Sequence, residues 1–484
     1  MEQEKRLYHN YEKNVQYIHD YLAVDKSFDL VHLDVEYAGK KMALFFIDGL
    51  IKDEMLHYLM RFLAELDEGD LDTDTLQKLI KRYIPYVEID VEKDIDNAAD
   101  LVLAGPTALV VEGLDKVIMI DARTYPVRGP EEPDLERVVR GSRDGFVETI
   151  IFNTALTRRK VRDKSLRMEY MSIGRRSKTD ICICYLEDIA DSRRVETLKD
   201  HLDSIDTDGL PMAEKTIEEY LSGKTWNPYP TIRYTERPDT ASEHLYEGHI
   251  LVIIDGSPSV MITPATFWHH LQHAEEYRQK PFIGVYLRMV RFLAVFVSLF
   301  LLPFYFLLST QPELLPDAIA FIGPKEVGLI PLIVQFLLAE VGIDVLRMAA
   351  IHTPSALATA LGLVSAIIIG QIAVEVGWFS NEVVLYLAAV VMGTFATPSY
   401  ELSLANRVTR IILLLATAIF GVKGFIISIT LYILYLTNLK TFYIGYFWPF
   451  IPFEPKAFLN VIVRQPIPYD HQRPSFLNPK DPDR

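Results

Sequence analysis

Cysteine and, in one half of the chain, charge of either sign are scarce, and basic residues are outnumbered by acidic ones. Two cysteines occur in 484 residues, Cys182 and Cys184, which excludes both a disulfide framework and a cysteine-rich zinc site. Their alternate spacing within Asp180-Ile-Cys-Ile-Cys-Tyr185 puts both on one face of an expected strand, where they read as small core hydrophobes rather than a redox pair. The opening residues, Met1-Glu-Gln-Glu-Lys-Arg6, are charged and lack the apolar stretch of a secretory signal. Lys and Arg number 49 against 65 Asp and Glu, a formal net charge of −16, and this balance argues against a nucleic-acid partner. Gly105-Pro-Thr107 lacks the Gly-Lys-Ser/Thr ending of a phosphate loop. No catalytic signature occurs, so neither an enzyme nor a cofactor is expected. His269, His270 and His273 sit in Phe267-Trp-His-His-Leu-Gln-His273 with no fixed acidic partner. They read as part of an amphipathic helix, and no metal centre is expected.

The chain does contain a sharp change of chemistry near residue 281. Residues 1–280 carry most of the acidic excess, whereas 281–484 are nearly balanced and hold the long apolar runs. We therefore expect a soluble α/β region followed by an α-helical polytopic membrane domain. The soluble part reads as a duplication. Met42-Ala-Leu-Phe-Phe-Ile47 is a buried-strand run followed by an acidic turn and a helical pattern over 53–66. Ile181-Cys-Ile-Cys-Tyr-Leu186 repeats the run before a second helical pattern over 193–205. Thr107–Asp121 and His249–Thr263 both read as hairpins with a glycine at or beside the turn. The expected organisation is a helical arm at 1–27, α/β subdomains at 28–126 and 146–280, and a linker at 127–145. A membrane domain comes next at 281–440 and a Pro-rich cytoplasmic tail at 441–484.

Residues 292–312, 353–374 and 383–400 carry no formal charge, and stretches of this kind can span hydrocarbon as helices. Arg288 and Arg291 hold the start of the first on the cytoplasmic side by the positive-inside rule. Residues 327–347 fit either a spanning helix with a polar face or a re-entrant segment. Residues 411–439, interrupted by Gly421-Val-Lys-Gly424, fit either one helix or two, 402–421 and 424–439. The expectation is five to six segments with both ends cytoplasmic.

Polar residues within apolar stretches are candidate functional residues, because such groups need protein or water around them. Gln371 and Glu375, spaced i,i+4, share a helix face with Ile367 and Val364. Val364, Ile367, Gln371 and Glu375 are the candidate pore-lining set. Glu340, Asp344, Arg347 and Glu401 are the candidate polar cluster, with Asp344–Arg347 spaced for a local ion pair and Glu401 expected near Arg407 and Arg410.

Ordered motifs then carry a resemblance. Thr235-Glu-Arg-Pro-Asp239, Leu245-Tyr-Glu-Gly248, Val252-Ile-Ile-Asp-Gly-Ser-Pro258 and Arg288-Met-Val-Arg291 are similar to the A subunits of bacterial spore germination receptors, the GerA family. So are Gly370-Gln-Ile-Ala-Val-Glu-Val-Gly377 and Pro398-Ser-Tyr-Glu-Leu402. The resemblance runs over about residues 28 to 456. It implies a multi-pass protein of the spore inner membrane acting in germination, with a cytoplasmic N-terminal domain. It also implies assembly into a homo-oligomeric ring, a pentamer, that conducts monovalent cations and works with other germination membrane proteins in the lipid bilayer. A non-conducting scaffold and a secondary transporter are the competing readings.

Overall fold

A computed structural model describes residues 6–84, 88–122, 133, 136–223, 226–314, 329–352, 368–469 and 471–484. The chain divides into two compact units. Unit 1 comprises Met1–Thr225, Ile232–Pro264 and Ile467–Arg484, and unit 2 comprises Trp226–Thr231 and Ala265–Pro466.

Unit 1 carries two five-stranded sheets. The first is built from β1 (Leu30–Tyr37), β2 (Lys40–Ile47), β3 (Ile89–Glu92), β4 (Thr107–Val111) and β5 (Val117–Ile120), in the order β1-β2-β4-β5-β3. The second uses β6 (Leu166–Ile173), β7 (Thr179–Leu186), β8 (Arg233–Thr235), β9 (Ile250–Ile254) and β10 (Val260–Thr263), in the equivalent order β6-β7-β9-β10-β8. Every pairing is antiparallel, from Leu30 opposite Ile47 in one sheet to Leu166 opposite Leu186 in the other.

The unbroken apolar run of β2 is explained by burial on both faces. Ala43, Phe45 and Ile47 face one core cluster, while Met42, Leu44 and Phe46 face another. Cys182 and Cys184 lie together in the core of the second sheet, with sulfurs 3.4 Å apart as free thiols, and burial raises the Cys182 thiol well above its ordinary value.

The helices obey an equivalent plan. α1 (Tyr11–Leu22), α2 (Asp53–Ala64) and α3 (Ile95–Leu103) accompany the first sheet, and α4 (Ile150–Lys160), α5 (Ser192–Asp203), α6 (Ala213–Ser222) and α7 (Pro238–Glu247) the second. The described part of the expected arm, residues 6–27, packs against the first sheet rather than standing apart. The spacing of Val15, Ile18 and Leu22 gives α1 an apolar stripe, which lies in the core of the first sheet. Of the expected linker, 127–132, 134 and 135 lie outside the described residues. Buried Arg237 ties down the segment 136–142, donating to the Glu136 carbonyl at 3.3 Å and the Ser142 carbonyl at 3.0 Å.

The two sheets are joined by α4. Buried Arg158 donates from Nε to Asp29 Oδ2 at 3.1 Å, and to the carbonyls of Asp163 at 3.1 Å and Leu166 at 3.3 Å. Gly49 lets the first sheet approach this helix. A Cβ there would sit 2.9 Å from Ile151 Cγ2 at a φ of +77°.

The expected tail at 441–484 is not one free segment. Residues 467–484 belong to unit 1, where Arg194 donates to the carbonyls of Phe476 and Leu477 at 2.8 and 2.7 Å, and the Lys480 amide donates to Ile189 O at 2.8 Å. Prolines remove amide donors from this stretch, so much of its attachment runs through its carbonyls and side chains.

Unit 2 is helical. It holds α8 (Pro281–Thr310), α9 (Leu332–His352), α10 (Asn381–Phe395), α11 (Tyr400–Asn438) and α12 (Pro455–Ile462). By length and composition α8 and α11 can cross a membrane, and α10 is apolar but shorter. Residues 353–367, most of one expected segment, lie outside the described residues.

The ambiguity over 411–439 is decided by one residue. Gly421 adopts φ +60° and ψ −138° inside α11, a conformation natural to glycine alone, and a Cβ there would lie 2.7 Å from Gln311 Nε2. Beyond it the chain doubles back along α8. The Phe425 ring lies 6.2 Å from Phe304, Tyr432 lies 6.3 Å from Phe300, and Leu402 and Leu436 share one cluster with Val295. α11 is thus a helical hairpin whose two ends lie beside the same part of α8.

Candidate functional site

The candidate polar cluster forms around Glu340 on α9. Glu340 is 1% exposed and Arg410 2%, so neither charge has water to stabilise it. Arg410 grips the carboxylate in a two-pronged fork, Nε to Oε1 at 2.7 Å and Nη2 to Oε2 at 2.8 Å. Its remaining nitrogen donates to the Ser298 carbonyl of α8 at 2.5 Å. Arg407 adds Nε to Glu340 Oε2 at 3.2 Å and Nη2 to the Glu340 carbonyl at 3.3 Å, and also pairs with half-buried Asp344. Three helices are therefore cross-linked by charge-assisted hydrogen bonds.

Two expected pairings differ. Asp344 pairs with Arg407 of the neighbouring helix rather than with Arg347, which lies over the rings of Phe395 and Tyr400 at 5.4 and 5.7 Å. A guanidinium stacks on aromatic faces readily, and this frees Asp344 for the tertiary partner. Glu401 accepts from Ser399 Oγ at 3.0 Å near the N-terminus of α11 and does not take Arg407 or Arg410. Those residues lie six and nine positions further along α11; nine is about 13 Å of axial rise at roughly 1.5 Å per residue, and six turns to another face. The arginines that complete the cluster were visible as charges inside an apolar helix, but their partner was not, since it lies on another helix.

Of the candidate pore-lining residues, Val364 and Ile367 lie outside the described residues. Gln371 and Glu375 are both exposed at the end of a helical stretch, with Gln371 Nε2 donating to Glu375 Oε1 at 3.3 Å. Gly377, at φ +74°, and half-exposed Trp378 come directly after.

A second buried charge group was missed. Glu276, just before α8, pairs with Arg288 (Nε to Oε2, 2.8 Å) and with Arg291. Arg464 donates to the Glu276 carbonyl at 2.7 Å, fastening the chain after α12 to the base of α8. Two histidines of 267–273, His269 and His273, serve the backbone. His269 Nδ1 accepts from the Thr266 amide at 3.1 Å, and His273 Nδ1 from the Glu275 amide at 3.2 Å.

In unit 1 His244, Glu247 and His249 bring possible ligand atoms within 4.8 Å of one another. The Arg233 guanidinium, 3.2 Å from His244 Nε2, opposes a further cation there. Burial, with Arg233 and Arg194 adding repulsion, holds the His249 imidazole at about 3. The unfolded chain therefore binds a proton that the folded chain refuses between that value and the ordinary 6.5. Stability from this group is complete above pH 6.5 and falls as pH drops through the window, by up to about 1.4 kcal/mol per pH unit. His249→Leu should flatten this slope in the urea midpoint of the full chain measured by circular dichroism at pH 7 and pH 5. Parallel slopes in both proteins would reject the assignment.

Comparison with known proteins bears on these features together. Residues 16–476 match the family described as Bacillus/Clostridium GerA spore germination protein. The chain is 47% identical over 480 residues to Stage V sporulation protein AF of Bacillus subtilis (strain 168), covering 99% of this chain and 97% of that protein. It is 30% identical over 481 residues to Spore germination protein A1 of the same organism, covering 96% and 97%. The crystal structure of the N-terminal domain of the A subunit of the Bacillus megaterium spore germinant receptor GerK3 aligns with 55% of this chain and 98% of that one, at a TM-score of 0.43 and 25% identity. With a match running from α1 to the closing segment of unit 1, and full-length relatives on either side of it, the chain belongs to the GerA family of spore germination proteins.

Proposed function

We propose that the protein is a membrane subunit of a spore germination complex and forms an oligomeric, pentamer-like ion channel that promotes cation release during germination. In this reading unit 2 is multi-pass in the spore inner membrane, unit 1 is cytoplasmic, and other germination membrane proteins are its partners. The observation that carries the proposal is the contrast between two polar groups of unit 2. Glu340 is enclosed by its arginines, as a structural ion pair is. Gln371 and Glu375 are exposed beside apolar sequence, where a polar pair needs water or a second subunit. A ring that turned this face inward would line an aqueous path, with Val364 and Ile367 further along it.

The test is cation flux from liposomes carrying the purified full chain, with its mass measured in parallel. Glu375→Gln should lower cation flux several-fold while the oligomer elutes unchanged, since one ring charge is lost per subunit. Unaltered flux in Glu375→Gln and Gln371→Leu would remove these residues from the path. An intact oligomer without any flux would favour the non-conducting scaffold.

A further inference from the structure

We propose that unit 2 holds a phospholipid, one acyl chain lying in the groove between α8 and the returning arm of α11. The inference rests on the membrane reading of unit 2 given above. The groove has a volume of about 800 Å³ and is walled largely by aromatic and aliphatic side chains, among them Phe296, Phe300, Phe304, Phe425 and Ile429. That size and lining suit a lipophilic ligand. Two donors among the lining residues lack a partner. Asn406 is 2% exposed and its Nδ2 has no hydrogen-bond partner, although its Oδ1 accepts from Tyr229 at 3.3 Å. Trp268 Nε1 is also buried without a partner, and both residues line the groove.

Unpaired donors in apolar surroundings are expensive unless an acceptor arrives. The occupant must therefore combine a long hydrocarbon body with acceptor oxygens, as an acyl ester does. The positions agree with this chemistry. Asn406 lies in the second turn of α11, close to the end where the hairpin opens, whereas Phe304 and Phe425 lie toward its closed end. An ester near Asn406 would send its chain toward the closed end. Lys440 lies two residues past the returning arm and is exposed, with no acidic partner among the described residues, so a cation stands at the open end for a phosphate. An apolar helix of a second copy would fill the volume but leave both donors unpaired, which is why a lipid is favoured over a self-contact.

The test uses the full chain in phosphatidylglycerol–phosphatidylcholine vesicles containing a phospholipid with a photoactivatable diazirine on its acyl chain. Labelled peptides are then mapped by mass spectrometry. Preferential labelling of 292–304 and 425–436 over the exposed α10 residues Leu385 and Met392 is expected. Ile429→Trp, which fills the groove, should abolish that preference. Asn406→Leu should weaken it about five-fold, the effect of one lost hydrogen bond, and serves if the tryptophan variant elutes as aggregate. Uniform labelling that neither substitution changes would overturn the proposal. So would labelling by a diazirine fatty acid but not by the phospholipid, or cross-links between two copies through these peptides. Release of the protein from membranes by alkaline carbonate would instead overturn the membrane reading itself, and the lipid site with it.

Discussion

Glu340→Gln should sharply reduce the folded protein recovered from membranes, and Glu340→Ala should reduce it further. The reason is an asymmetry between removing one partner of a buried ion pair and removing the whole group. Without the carboxylate, Arg410 and Arg407 remain inside the helical core, 2% and 4% exposed, with only carbonyls and Asp344 for company. Breaking such a pair costs about 3–5 kcal/mol, a large part of the stability of an ordinary domain. The triple variant Glu340→Leu with Arg407→Leu and Arg410→Leu should recover much of the loss, because packed hydrophobes replace buried charge with little penalty. Thermal unfolding in detergent, followed by tryptophan fluorescence, measures both. A Glu340→Gln protein that melts with the wild type would mean that the cluster does not hold these helices together.

Arg158→Leu should loosen the junction of the two sheets in unit 1 by a similar amount. Arg158 is fully buried and Asp29 is 1% exposed. Asp29 has a second role, since its carbonyl accepts from the Asp48 amide at 2.8 Å. Without the guanidinium, the carboxylate is stranded and the carbonyls of Asp163 and Leu166 each lose a donor, again about 3–5 kcal/mol. Arg158→Lys should rescue little, because a single ammonium cannot reproduce the planar fork. Hydrogen exchange reads this locally. Faster exchange at residues 27–30 and 163–168, with the centres of β4 and β9 still protected, is the expected pattern. Exchange that rises evenly through both sheets would indicate loss of the whole fold rather than of a joint.

The range of each interaction decided whether it was legible in the sequence. The runs 42–47 and 181–186 could be read because a strand buried on both faces has no polar alternation, and they are the last six residues of β2 and of β7. The helices after them were marked by periodicity, and the hairpins by Gly113 and Gly256, both at positive φ. The tertiary charge pairs were beyond that reach. Asp29 meets Arg158 across 129 residues, and Glu340 meets Arg410 across 70. Helical spacing predicted Asp344–Arg347, and a guanidinium from another helix displaced it. The fate of 411–439 hung on the backbone angles at Gly421, since one long apolar helix and a hairpin of two have the same composition. Among the candidate residues, Gln371 with Glu375 met as their spacing implies, whereas Glu401 turned to Ser399.

The rejoining of unit 1 by residues 467–484 imposes a parity rule on the proposed membrane arrangement. The chain leaves unit 1 for the helical region after Pro264 and returns to it at Ile467. A path that starts and finishes in one body on one side of a sheet-like barrier must pass through that barrier an even number of times. Within that proposed arrangement residues 281–466 would cross an even number of times, and the arms on either side of Gly421 would be counted separately. In a closed oligomer every subunit would then keep its first and last segments in the same compartment, so the end of each chain stays available to brace the body in which it began.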